Sequence, residues 1–170
     1  MKIHLIILLF NFLMQQQNTY LIDFGEEKKG RYWSVVNDGV MGGLSKGNKK
    51  LTKNSMLFKG EVSLDNNGGF SSLRRSFSEF DISEFNHIEI KYRSYGISLA
   101  ITFAVSRRWY VPNYKLSLVG TSSEWKTITI KLTDFRKYYI SKAMNEKLKK
   151  ETLKEIIRIG FITNEKKYGD

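Results

Sequence analysis

The chain has 170 residues, a formal net charge of +11, no cysteine and two histidines. Its length suits one domain, and 41% apolar with 26% charged residues is the balance of a folded domain rather than a disordered tail. The lack of cysteine excludes disulfides, thiolate metal sites and a cysteine nucleophile. The charge either favours anionic surroundings or marks a lysine-rich solvated face. The second reading fits basic residues that are mostly lysine, spread out and not interleaved with aromatics.

Residues Lys2 to Met14 carry one positive charge and then an apolar run broken by Asn11, too short to span a bilayer as a helix. The run has the length of a signal-peptide core with Lys2 as its basic flank, but no small-x-small cleavage site; a buried first strand plus linker is the alternative. Residues 1–19 are therefore expected to form an export or apolar leader containing His4, and residues 20–170 one domain. Cleavage would place that domain in the periplasm or outside the cell; otherwise it is cytoplasmic.

Tyr20 to Phe24 and Arg31 to Val36 read as short strands. The second enters a loop, Asn37-Asp38-Gly39-Val40-Met41-Gly42-Gly43-Leu44-Ser45, in which Asp-Gly and Gly-Gly predict sharp turns with the apolar residues between them pinned inward. Lys46 to Lys59 hold five lysines and no acidic residue around an expected hairpin near Gly47-Asn48. Met56 to Leu64 alternates, and Asn67-Gly68 predicts a second hairpin before Phe70 resumes a β pattern. Further alternation follows over His87 to Arg93, Leu99 to Val105, Tyr114 to Val119, Trp125 to Leu132 and Ile156 to Thr163, with Trp33 and Trp125 expected in the core. Asn145 to Ile157 has helical spacing and predicts a short surface helix near the C-terminus. The whole predicts an all-β sandwich of two facing sheets.

The run Val35-Val36-Asn37-Asp38-Gly39-Val40-Met41-Gly42-Gly43-Leu44-Ser45, followed by Phe58 to Arg74, resembles the family of the complex I intermediate-associated protein 30 domain. Trp125 and Leu132-Thr133-Asp134-Phe135 are similar to it more weakly, and the resemblance covers Tyr20 to about Thr163. It implies a galactose-binding-type jelly roll and a role like that of assembly factors for respiratory NADH:ubiquinone oxidoreductase. The motif residues present here are Asn37, Asp38, Val40, Met41, Gly42, Gly43, Ser45, Asn67, Gly68, Gly69, Phe70 and Ser71, expected to build one rigid binding loop surface. The family usually continues into another apolar strand beyond the final glycine, so the expectation is that either the sequence is shortened here or that strand is absent.

Catalytic motifs are not found. No glycine cradle precedes a Lys-Ser/Thr pair, Gly39, Gly42 and Gly43 lack dinucleotide spacing, and no Gly-x-Ser-x-Gly elbow occurs. His87 reads as a surface residue at a strand start, and no metal or other cofactor is expected. Asp38 and Asp65, with Asn37, Asn66 and Asn67, read as turn caps rather than calcium ligands or a catalytic carboxylate pair. The aromatic-basic cluster Arg107-Arg108-Trp109-Tyr110 before Pro112 is a candidate ligand-binding surface. The expected function is a non-enzymatic module with a protein partner; a carbohydrate-binding module of the galactose-binding type, exported or periplasmic, is the alternative. Nucleic acid is not an expected partner, because no recognition helix, zinc finger or paired RNA-binding aromatic motif is present.

Overall fold

Alternating apolar and polar residues build this molecule, which a computed structural model describes over residues 18–79 and 81–164. The expected leader falls almost wholly on residues 1–17, outside the described residues, as do residues 165–170. Among the described residues the strands are β1 Trp33–Asn37, β2 Lys46–Leu51, β3 Met56–Glu61, β4 Ser71–Arg75, β5 His87–Tyr92, β6 Leu99–Ala104, β7 Asn113–Ser117, β8 Lys126–Lys131, β9 Arg136–Tyr139, β10 Lys142–Lys147 and β11 Arg158–Thr163. Seven form an antiparallel sheet in the order β1-β4-β11-β6-β7-β9-β10. The others form two antiparallel ladders, β2 with β3 and β5 with β8.

The core lies between these layers. Trp33, Leu73, Ile101, Phe103, Tyr114 and Ile159 of the large sheet are buried with Ile130 and Leu132, while Ile88, Ile90, Ile128, Met56 and Phe58 pack against them. Phe103 stacks on Phe135 at 4.4 Å and Trp33 on Phe161 at 5.6 Å. Burial on this scale, about 1.5–3 kcal/mol for each fully buried large apolar side chain, is the main term holding the layers together.

Several local expectations are corrected. Tyr20 to Phe24 forms no strand; Ile22 and Phe24 cover the core from an irregular segment, with Phe24 5.2 Å from Trp33. The hairpin of Lys46 to Lys59 turns at Thr52–Ser55, where the Thr52 amide donates to the Ser55 carbonyl at 2.9 Å. Gly47 instead sits within β2 opposite Gly60, and a Cβ on either would strike backbone or the Ser71 hydroxyl. These glycines serve close approach, not a turn.

Asn67-Gly68 also makes no hairpin. Asp65–Asn67 is a 3-10 turn with Asn66 and Asn67 at φ 54° and 60°, and β3 and β4 pair with other strands. Trp125 is half exposed beneath Arg93, 5.2 Å from its ring, because it has the parity of the outward Thr127 and Thr129. The short C-terminal helix is present as a 3-10 turn over Lys150–Glu155. It starts later than its spacing predicts because residues 142–147 pair with β9 and the Leu148 amide then donates to the Phe135 carbonyl at 2.8 Å.

Candidate functional site

At one end of the large sheet the glycine-rich segments close on a single carboxylate. Asp38 is 2% exposed, and its Oδ2 accepts from the Ser45 hydroxyl at 2.5 Å, the Gly69 amide at 2.6 Å and the Phe70 amide at 3.2 Å. Its Oδ1 accepts from the Ser45 amide at 2.9 Å. Burial pushes this carboxyl up, but the Ser45 hydroxyl and the Gly69, Phe70 and Ser45 amides outweigh it and hold it below the usual carboxylate range. Gly43 and Gly68 make room for it: a Cβ on Gly68 would lie 2.6 Å from Asp38 Oδ2, and one on Gly43 would overlap the carboxyl carbon.

Asn37 makes a parallel tie. Its Oδ1 accepts from the Gly47 amide at 3.0 Å and the Ser71 hydroxyl at 2.6 Å, while its Nδ2 donates to the Gly47 carbonyl at 3.2 Å. Eight motif residues (Asn37, Asp38, Gly43, Ser45, Gly68, Gly69, Phe70, Ser71) thus converge in one polar knot. Asn67 is exposed on the adjoining turn, and Gly42 closes the loop at φ 89°. Val40 and Met41, expected to point inward, are each 74% exposed: the inward position belongs to Asp38, so the apolar pair forms the loop tip. Asp65 is exposed and bonded to the Ser63 hydroxyl at 3.0 Å, while Asp38 is committed to its donors. Among the described residues no three His, Asp or Glu side chains gather as metal ligands.

The second predicted cluster lies at the other end of the same sheet, since β1 ends and β4 begins at the knot while β6 ends and β7 begins at the Arg107–Tyr110 loop. Trp109 is 77% exposed, with Tyr110 edge-on at 5.8 Å, and Arg107 and Arg108 are also exposed. Arg107 and Arg158 both lie against the Phe77 ring, at 5.2 and 3.9 Å from its centre. The two predicted clusters are therefore not brought together.

Between them runs the outer face of the sheet. Register places Ser34, Arg74, Gly160, Thr102, Lys115 and Arg136 side by side across six strands. A cleft of about 270 Å³ over this face is lined by Ser72, Arg74, Phe77, Thr102, Trp109, Asn113 and Arg158 among others. Arg74 Nε donates to the Ser72 hydroxyl at 2.8 Å, and Lys115 lies 4.1 Å above the Tyr138 ring. A second cleft of about 360 Å³ lies beside Phe85, His87, Leu132, Leu148 and Leu153; its exposed surface is mainly apolar, with Lys131, Lys149 and Lys150 also in its lining.

The profile of the family described as Complex I intermediate-associated protein 30 (CIA30) matches residues 22–170. The chain belongs to the CIA30 family. No curated protein matches it. Among solved structures it is similar to the family 11 carbohydrate-binding module of the cellulosomal cellulase Lic26A-Cel5E of Clostridium thermocellum, with TM-score 0.62, 22% identity and 81% of each chain covered. It is equally similar to a family 11 module from that organism in complex with a β-1,3-1,4-mixed-linked tetrasaccharide: TM-score 0.62, 22% identity, 81% of this chain and 82% of that one. These likenesses show the fold, a jelly-roll, galactose-binding-like sandwich.

In this CIA30 chain, reading the sequence locally finds the loops but misses the sheet face. Arg74, Lys115 and Arg158 are far apart in sequence, and only strand order aligns them. Their one local signal is a basic residue in a strand with no Asp or Glu, which β4, β7, β9 and β11 share with β2 and β8.

Proposed function

We propose that this CIA30 domain is a non-enzymatic binding module that holds an extended carbohydrate on the outer face of its seven-stranded sheet. The observation carrying this reading is the cleft where exposed Trp109 stands beside Asn113, Thr102 and Arg74. An aromatic plane next to fixed amide, hydroxyl and guanidinium groups suits a sugar ring, whose faces are apolar and whose edges hydrogen-bond. The similarity to a module solved with a tetrasaccharide supports the same reading. The knot around Asp38 acts as scaffold here, fixing the loops at the far end of the sheet.

A second reading has its own observation. Val40 and Met41, each 74% exposed, and half-exposed Leu44 form an apolar tip on a rigid loop, which suits a protein partner such as an assembly intermediate of the respiratory enzyme. Affinity electrophoresis through gels containing soluble polysaccharides, paired with co-purification from native cells, separates the two. Trp109→Ala is expected to abolish polysaccharide retardation while the Val40→Asp, Met41→Asp double variant keeps it. No retardation in any gel, with a partner lost only from the double variant, would assign the function to the loop tip.

A further inference from the structure

We propose that the carbohydrate taken by this face is an acidic polysaccharide, whose carboxylate or sulfate groups dock on two cation pairs, Arg74 with Arg158 and Lys115 with Arg136. The inference rests on the carbohydrate reading above and names its ligand class.

Register carries the argument. Arg74 and Lys115 share one row across the sheet, and Arg136 lies directly opposite Lys115 on the next strand. Arg158 is on β11, next to β4, two residues before the Gly160 that faces Arg74, so it shares Arg74's face. The row from Arg74 to Lys115 spans three strand steps, about 14 Å. Between the pairs lie Gly160 and Thr102, with Ser72 and Asn113 beside them, neutral groups suited to sugar hydroxyls.

Among the described residues these cations lack protein counter-charges. No Asp or Glu occurs in β1, β4, β6, β7, β9 or β11, and among the described residues none of the four forms an ion pair with a carboxylate. β4, β11 and β7 are interior strands, so basic residues there do not serve to protect a sheet edge. Arg74, Lys115 and Arg158 are half-buried. Burial, and secondarily the charge of Arg74, bring Arg158 down to about 10, and burial alone lowers Arg74 and Lys115. Arg158 remains cationic at neutral pH, and all three are partly stripped of water, a state that a docked anion relieves.

The planar guanidinium fork fits carboxylate and sulfate alike. The likeness to a carbohydrate-binding module favours a polysaccharide over nucleic acid; exposed Trp109 would stack a base as well as a sugar ring, so the DNA arm of the test separates the two.

The test measures binding of the intact chain at low salt to polygalacturonate (carboxylate), dextran sulfate (sulfate) and neutral mixed-linkage glucan, alongside single-stranded DNA and phosphatidylglycerol vesicles. At least one acidic polysaccharide is expected to bind tenfold or more tightly than the neutral glucan, the margin shrinking as salt rises. Arg158→Gln and Arg74→Gln should each weaken that binding roughly tenfold, with Arg158→Lys intermediate. Should Arg74→Gln lower Tm, exposed Arg136→Gln gives the same reading without burial. Neutral glucan bound as tightly, unaffected by these substitutions, would overturn the acidic ligand and leave the carbohydrate reading intact. Failure of every polysaccharide would overturn both. Tighter binding to DNA or to the vesicles than to either acidic polysaccharide would overturn this inference in favour of a phosphate ligand.

Discussion

Four hydrogen bonds converge on Asp38 from Ser45, Gly69 and Phe70, and the glycines around that carboxylate differ in what they do. Gly43 lies against the carboxyl group, Gly42 has φ 89°, and Gly39 has nothing within 4 Å of a built Cβ. Urea unfolding should therefore rank the alanine variants: about 2–3 kcal/mol lost at Gly43, about 1 at Gly42 and under about 0.5 at Gly39. Asp38→Asn turns an acceptor into a donor facing buried amides and should cost about 3 kcal/mol at pH 7. Because the folded Asp38 pKa is lowered, its stabilisation is complete above the unfolded value of about 3.9 and lost as pH falls through the folded value. Asp23, Asp81 and Glu146 are also lowered, chiefly by hydrogen bonds from Lys28, Ser83 and Lys137, so the Asp38 contribution is the difference between wild type and Asp38→Asn. That difference should shrink as pH falls below the unfolded value of about 3.9; a constant difference would remove Asp38 as a charged keystone. The motif was legible as a cluster of special residues. Its purpose was not: a glycine required by positive φ and one required by a neighbouring carboxylate look alike in sequence.

Among the elements, β9 and β10 were the least legible. They join through Ile140-Ser141, with Ile140 at φ 56°, a left-handed conformation that branched side chains avoid. Sequence rules look for Asn or Gly at such a turn, so the hairpin is not signalled, and Asn145 to Lys147 of its second strand fall within a helical pattern. Ile140 is 57% exposed, so little packing is lost on removing it. Ile140→Gly should raise stability by about 1 kcal/mol, read as an increase in Tm; a decrease would mean that the side chain's contacts outweigh the backbone strain. By contrast, β5, β6 and β11 follow their alternation closely, because each presents one face to the core. Gly47 misled: it is a close-approach position within a ladder, opposite Gly60, not punctuation.

At the scale of the whole molecule, one sheet carries two specialised ends and a basic face between them. The sandwich was legible from periodicity, whereas the face was not, since it depends on β11 inserting between β4 and β6 to set Arg158 beside Arg74. The knot explains why the strongest sequence motif need not be the binding surface: it fixes the loops that terminate the sheet. The most direct test of this division is to fill the face without altering its charge or the knot. Thr102→Trp, at the centre of the row beside Gly160, would cover the path between the cation pairs. Its polysaccharide binding should be compared by titration calorimetry with that of wild type and of the Val40→Asp, Met41→Asp variant, all with their Tm values. The account predicts that binding is lost in Thr102→Trp at an unchanged Tm and retained in the loop variant; retention in Thr102→Trp with loss in the loop variant would contradict it.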